Sequence, residues 1–224
     1  PQFTAGGDFE FLEIPDEEEA ARRIVALCRE ELPREGFNAL ENVQVLSPMH
    51  RTPCGVDNLN RLLQAALNPP APEKAEFRNS TLTFRVGDKV MQTKNDYTKG
   101  VFNGDIGFIR EVSADGVKVR YSDELTADYE PNELMMLTLA YAMSVHKSQG
   151  SEYPVIVLPL VAAHHIMLQR NLLYTAVTRA KKKVVLLGSK AAVFTAVSND
   201  RTRRRYTLLA ERLAGAGGES PLLS

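Results

Sequence analysis

The sequence predicts an α/β protein: a parallel sheet covered by helices on both faces, with a small β-rich barrel inserted into it. Three observations carry this. Short continuous apolar runs, the pattern of strands buried on both faces, alternate with stretches of helical periodicity. Between about Leu82 and Tyr129 the apolar period drops to two, and turn signals fall at Gly87-Asp88, Asn103-Gly104 and Asp115-Gly116. After that stretch the first texture returns, as expected for an insertion rather than a second, separate domain.

In chain order, Phe9–Ile14 is a strand. Asp16 then opens a helical stretch with Ile24, Leu27, Cys28 and Leu32 at helical spacing. Val43–Leu46 is the next strand, ended by Ser47-Pro48. Val56, Leu59, Leu63, Ala66 and Leu67 mark a helix that stops at Asn68-Pro69-Pro70. Within the insert Leu82, Phe84 and Val86 alternate with polar residues, as do Val117, Val119 and Tyr121. The runs Leu137–Ala140, Val155–Leu158 and Val184–Leu187 read as parallel strands, and Leu168–Ala180 as an amphipathic helix between the last two. One short helix follows Gly188, then a basic stretch from Arg201 to Arg205 and a Gly/Ser-rich tail. These changes of texture place the first part of the α/β unit at residues 8–78, the insert at 79–135, the second part at 136–213 and a disordered tail at 214–224.

Composition narrows the field less. The 224 residues are 44% hydrophobic and 25% charged, with a net charge of −1. Contact with a polyanion must therefore come from a local patch. The two cysteines, Cys28 and Cys54, sit among apolar neighbours without metal-ligand spacing, as core residues of a reducing compartment do. No apolar run approaches the ~20 residues that span a bilayer, and a cytoplasmic protein is expected. The chain opens on Pro1 rather than Met, which suggests a piece of a longer protein.

No G-x-x-x-x-G-K-[ST] loop is present, so the chain alone is not expected to hold a nucleoside triphosphate by its phosphates. The acidic run Asp16-Glu17-Glu18-Glu19 follows a strand as a metal-binding carboxylate would, but carboxylates in a first helical turn are what the helix dipole favours. His164-His165 lack the spacing of a helical metal pair and read as loop. No metal site is expected.

Three segments at strand ends carry chemistry. Residues 141–154, YAMSVHKSQGSEYP, follow one apolar run with a short turn rich in hydroxyl, amide and imidazole groups. Residues 173–180, LYTAVTRA, precede another. Residues 46–51, LSPMHR, end a third. In this order they resemble motifs V, VI and IV of superfamily 1 helicases. The inserted residues 84–92, FRVGDKVMQ, and 101–107, VFNGDIG, resemble the SH3-like insert of RecD-type helicases and related conjugative relaxase-helicases. The resemblance covers roughly residues 8–190.

The resemblance implies a RecA-like second motor domain with an SH3-like barrel, part of an ATP-dependent helicase moving 5′→3′ on single-stranded DNA. ATP and Mg²⁺ would be held mainly by an N-terminal RecA-like domain absent from this sequence. It gives Arg179 the role of an arginine finger and Arg51 that of a second γ-phosphate contact, for which a planar, permanently charged guanidinium is suited. Gln149, Gly150 and Glu152 would lie near the nucleotide; His146 and Ser148 would face the DNA backbone, with Lys147 either a phosphate contact or solvated. The insert offers Arg85, Lys89, Lys94, Asn95, Tyr97, Lys99, Phe102 and Asn103, cations and rings of the kind a single-strand groove needs; Lys94, Asn95 and Lys99 are its main candidates. Phe84 and Phe102 suit the barrel's core as well as base stacking, and Arg203, Arg204 and Arg205 suit a solvated face as well as a DNA path. A non-enzymatic single-strand-binding or regulatory module is the alternative function, and an unrelated nucleotide-dependent enzyme on the same scaffold a third.

Overall fold

The computed structural model describes residues 7–78 and 81–200. The basic stretch Arg201–Arg205 and the Gly/Ser-rich tail lie outside the described residues, as does the side chain of His165.

Strand β1 (Phe9–Glu13) leads into α1 (Glu17–Ala26), whose first turn is fixed by Asp16 Oδ1 accepting the Glu19 N–H at 2.7 Å. The acidic run is therefore a helix cap, as its sequence pattern suggested. The helix widens into a π turn at Leu27–Glu31 and closes with the short α2 (Leu32–Arg34). Next come β2 (Val43–Ser47) and α3 (Val56–Leu67).

The insert begins with the hairpin β3 (Glu76–Arg78) and β4 (Thr83–Arg85). It continues through β5 (Lys89–Gln92), β6 (Ile106–Ser113), β7 (Gly116–Arg120), β8 (Thr126–Tyr129) and β9 (Leu137–Leu139). The last five make an antiparallel sheet in the order β8-β7-β6-β5-β9. The chain then returns through β10 (Ala142–Ser144), β11 (Tyr153–Leu160), α4 (Arg170–Val177), β12 (Ala180–Gly188) and α5 (Lys190–Ser198). The second sheet is wholly parallel, in the order β1-β12-β11-β2-β10.

Alternate residues along the parallel strands bury against opposite layers, as the two-residue period of a strand requires. Val43, Val45, Val155, Val157, Val185 and Leu187 share a core with α1 and α3. Leu46, Met143, Ile156, Leu158, Val184 and Leu186 share another with α4 and α5. The expected fold class is thus observed. The first core runs on into the insert through Phe84, Val90, Val119 and Tyr129, so the insert is fused to one face of the sheet.

Two expectations are corrected here. Leu137–Ala140 does not supply a parallel strand; β9 pairs antiparallel with β5, Val90 opposite Leu139, and closes the insert's sheet. The insert's strands therefore reach past residue 136, and its first hairpin strand starts before residue 79. Leu137 and Leu139 are buried while Thr138 is not, the alternation of a strand with one open face. The helix read as Leu168–Ala180 is shorter. Thr178 turns its hydroxyl back onto Tyr174 O and Thr175 O, and β12 starts two residues later at Ala180.

The junction between insert and sheet is polar. Asp88, fully buried, accepts four hydrogen bonds: from Asn68 Nδ2 (2.7 Å) and Tyr141 Oη (2.7 Å) on Oδ1, and from Gln64 Nε2 (2.6 Å) and the Arg85 N–H (2.7 Å) on Oδ2. Burial pushes its carboxyl above the ordinary aspartate value against the pull of these donors. Nearby, Asn60 of α3 grips the edge strand β10 at two points, donating to Ala142 O and accepting from the Ala142 N–H, both at 2.9 Å. It stands in for the missing neighbouring strand. The sequence marked Gly87-Asp88 as a turn but gave no sign of this network, whose members come from three separate segments.

Candidate functional site

Two turns meet at the amino ends of β11 and β12. The first follows β10: Ser144 caps a 3₁₀ turn, Val145–Ser148, by accepting the Lys147 N–H, and the chain then runs through Gln149, Gly150, Ser151 and Glu152 into β11. Gly150 has φ +86°, the left-handed region that glycine enters without strain. The second turn is Thr178-Arg179, between α4 and β12. The Tyr153 N–H donates to Arg179 O at 2.8 Å, and Arg179 Nη1 donates to Ser151 O at 3.2 Å. Its other guanidinium bonds go to Thr175 O and Thr178 Oγ1, each 3.2 Å.

The Arg179 guanidinium is half-buried and held only by neutral acceptors, with no ion pair among the described residues. It is positioned by neutral acceptors, and the nearby Glu152 carboxylate acts on it through space without a direct ion pair. Beside it, Glu152 pairs with Lys181 at 3.0 Å, and the ammonium holds that carboxyl below its usual value. Arg179 is thus brought to the Ser151-Glu152 end of the turn that also carries Gln149 and Gly150.

Arg51 is not part of this group. It is exposed in the loop after β2, beyond that strand's carboxyl end, in a groove of about 710 Å³ lined also by Glu18, Arg22, His50, Asp57 and Arg61. Val43 and Val45 pair with Val155 and Val157. The end of β2 is therefore level with the far end of β11, about 20 Å from the Arg179 turn at ~3.3 Å per residue. The two arginines sit at opposite ends of the sheet, so the expectation that both touch one γ-phosphate is not supported. Arg51 instead shares an end with His146 and Lys147, because Ser47 pairs with Ser144 at the carboxyl ends of β2 and β10.

His146 and Lys147 are exposed, but Ser148 is fully buried and donates its hydroxyl to Val145 O at 2.7 Å. A hydroxyl so placed closes the turn and is not open to solvent. On the insert, Lys94 and Asn95 are exposed. Lys99 is not a free cation: Glu133 (2.6 Å) and Asp96 (3.5 Å) hold it. Arg85 is bound to Glu76 and Asn68 O. Lys89 is buried, its Nζ 3.3 Å from Val43 O and 5.8 Å from the Tyr153 ring centre, and burial lowers its pKa to about 8. Lys99, Arg85 and Lys89 are thus structural cations. Phe84 is core, whereas Tyr97, Phe102 and Asn103 are exposed.

His164 is buried in a 3₁₀ turn, not solvated in a loop, with Nε2 3.3 Å from Glu17 Oε1 and a pKa lowered by burial. Both cysteines are buried and unpaired, their thiols pushed up to about 12 by burial. Among the described residues no cluster of three histidine, cysteine or acidic side chains is placed to hold a metal. No described helix is long and apolar enough to cross a membrane.

Residues 59–125 match the family described as the ATP-dependent RecD-like DNA helicase SH3 domain, and residues 139–187 the UvrD-like helicase C-terminal domain. The two matches lie on the insert and on the turns that meet at Arg179. The chain belongs to the RecD-like helicases. It is 40% identical over 196 residues to the ATP-dependent RecD2 DNA helicase of Deinococcus radiodurans, covering 84% of this chain and 25% of that protein. It is 34% identical over 184 residues to the RecBCD enzyme subunit RecD of Mycolicibacterium smegmatis, covering 82% of this chain and 31% of that one. This RecD-like chain thus spans a quarter to a third of the length of these relatives. A solved structure of Pif1 helicase from Bacteroides, in complex with ADP-AlF3 and ssDNA, aligns over 92% of this chain and 55% of that one. Its TM-score is 0.52 at 18% identity, a likeness of fold.

Proposed function

We propose that this chain is the second motor domain, with its inserted SH3-like domain, of an ATP-dependent helicase that moves 5′→3′ on single-stranded DNA in the cytoplasm. An N-terminal RecA-like domain would hold ATP and Mg²⁺, and Arg179 would reach across the cleft to the γ-phosphate. The observation that carries this is the guanidinium's setting: fixed by three neutral acceptors, tied to the Gln149–Glu152 turn through Ser151 O, and without a direct ion pair among the described residues, since the nearby Glu152 carboxylate is taken by Lys181. An arginine so prepared calls for an anion from outside the domain.

Gln149, Gly150 and Glu152 line the nucleotide side of that turn. His146 and Lys147, at its other end, face the strand, with Arg51 reassigned from nucleotide to DNA phosphate on the neighbouring strand end. Lys94 and Asn95 extend the track onto the insert. One short turn therefore lies between the nucleotide-facing and strand-facing groups, so a shift at one end is transmitted to the other.

In the longer protein, Arg179→Ala is expected to lower DNA-stimulated ATPase about 10³-fold or more while single-strand affinity stays unchanged. ATPase near the wild-type rate would refute the assignment. Direction is tested by unwinding duplexes that carry only a 5′ or only a 3′ single-stranded tail; activity confined to the 3′-tailed duplex would overturn it.

A further inference from the structure

Three of the six large apolar side chains exposed among the described residues, Tyr97 (79%), Phe102 (46%) and Met135 (74%), belong to two neighbouring segments of the insert. The loop between β5 and β6 carries the two rings, and the turn before β9 carries Met135. The Lys99–Glu133 ion pair and a bond from Thr93 Oγ1 to Met136 O (2.9 Å) tie the segments together.

The loop is built rigidly. Asp96 and Val101 exchange both backbone hydrogen bonds (2.8 and 3.0 Å). Asp96 Oδ1 accepts the Thr98 and Lys99 N–H groups, Asn95 Oδ1 the Asn103 N–H, and Asp105 Oδ2 the Phe102 N–H. The Tyr97 and Phe102 rings meet edge to face, 5.9 Å between centroids and 79° between planes. Rings held in water by so many bonds are pre-organised for a flat apolar partner, since little freedom is left to lose on contact. Asp96 and Glu133 share Lys99, the Asp105 carboxylate accepts the Phe102 N–H, and exposed Lys94 has no ion pair among the described residues.

We propose that this corner is a base-stacking site, in which the exposed face of Tyr97, backed by Phe102, stacks on an unpaired nucleobase while Lys94 meets the adjoining phosphate. The inference rests on the strand-binding reading above and deepens it: the insert grips bases as well as backbone. Every base has a π-face, so the contact is indifferent to sequence, as a translocating grip requires.

The test is fluorescence anisotropy of the 224-residue chain with a labelled oligothymidylate, and with an abasic strand of equal length, across a salt series. Tyr97→Ala is expected to weaken oligothymidylate binding about tenfold without changing the salt slope, which counts phosphates. Tyr97→Phe, which keeps the ring, should bind like wild type. Wild type should lose a similar factor on the abasic strand, where Tyr97→Ala loses little more. Wild-type affinity in Tyr97→Ala, or an equal loss on both strands, would overturn stacking and assign the corner to a protein contact. If the folded wild-type chain binds neither oligomer at low salt, the strand-binding reading falls as well, which separates the two failures.

Discussion

Lys89 tests how this molecule is held together. Its ammonium lies between the insert and the parallel sheet, with Val43 O and the Tyr153 ring for company and no carboxylate paired to it among the described residues. Burial lowers its pKa from 10.5 to about 8. At 1.36 kcal/mol per pH unit this amounts to about 3 kcal/mol against folding at neutral pH. The folded-state pKa is depressed, so between pH 8 and 10.5 the unfolded chain binds more protons than the folded one. Stability contributed by this site therefore rises with pH across that window and is at its lowest below pH 8. Lys89→Met keeps the stem and removes the charge. It should stabilise the chain by about 2 kcal/mol at pH 7, raising Tm by roughly 4–8 °C. Urea titrations at intervals from pH 7 to 10 should show the gap between variant and wild type closing as pH rises. A variant less stable than wild type at pH 7, or a gap independent of pH, would refute the reasoning. Single-strand affinity and its salt slope should not change, in contrast to what a surface lysine on the DNA path would give.

Removing the carboxylate at the junction has the opposite sign: Asp88→Ala leaves four donors without their acceptor and should cost about 3–5 kcal/mol, read as a lower urea midpoint; a change within 0.5 kcal/mol would show the network to be dispensable. Asn60→Ala frees the edge strand β10 and should cost about 2 kcal/mol, with amide exchange quickening first at Ala142; uniform exchange would contradict a local clamp. Of the two insert lysines first considered together, Lys94→Ala should flatten the salt dependence of single-strand binding by about 0.7 in the log–log slope, while Lys99→Ala should leave the slope unchanged. Equal slopes in both variants would return Lys99 to the strand path.

Much of the site was legible because its signals are local. The turn of residues 141–154 and the LYTAVTRA stretch each sit where a strand of the parallel sheet begins or ends, and polar residues interrupting apolar runs stand out in any sequence. Arg179 could be chosen from them, although the helix ends two residues before it, at Val177. The place of Arg51 was not legible, because a strand end in sequence does not say which end of the sheet it occupies. The burial of Ser148 was not legible, because a hydroxyl that closes its own turn reads like one that waits for a ligand.

The sequence by itself determined the alternation of strand and helix, the intrusion of a period-two segment, and the presence of buried parallel strands, because periodicity and turn residues act within a few positions of the chain. It also determined that the cysteines and Phe84 had places in an apolar core open to them. Only the tertiary structure decided that β9 closes the insert, that Lys89, Lys99 and Arg85 are structural cations, and that Asp88 gathers four donors. Those outcomes depend on partners tens of residues away. A lysine's burial, or a carboxylate's protonation, is set by what folds over it, and no local pattern records that.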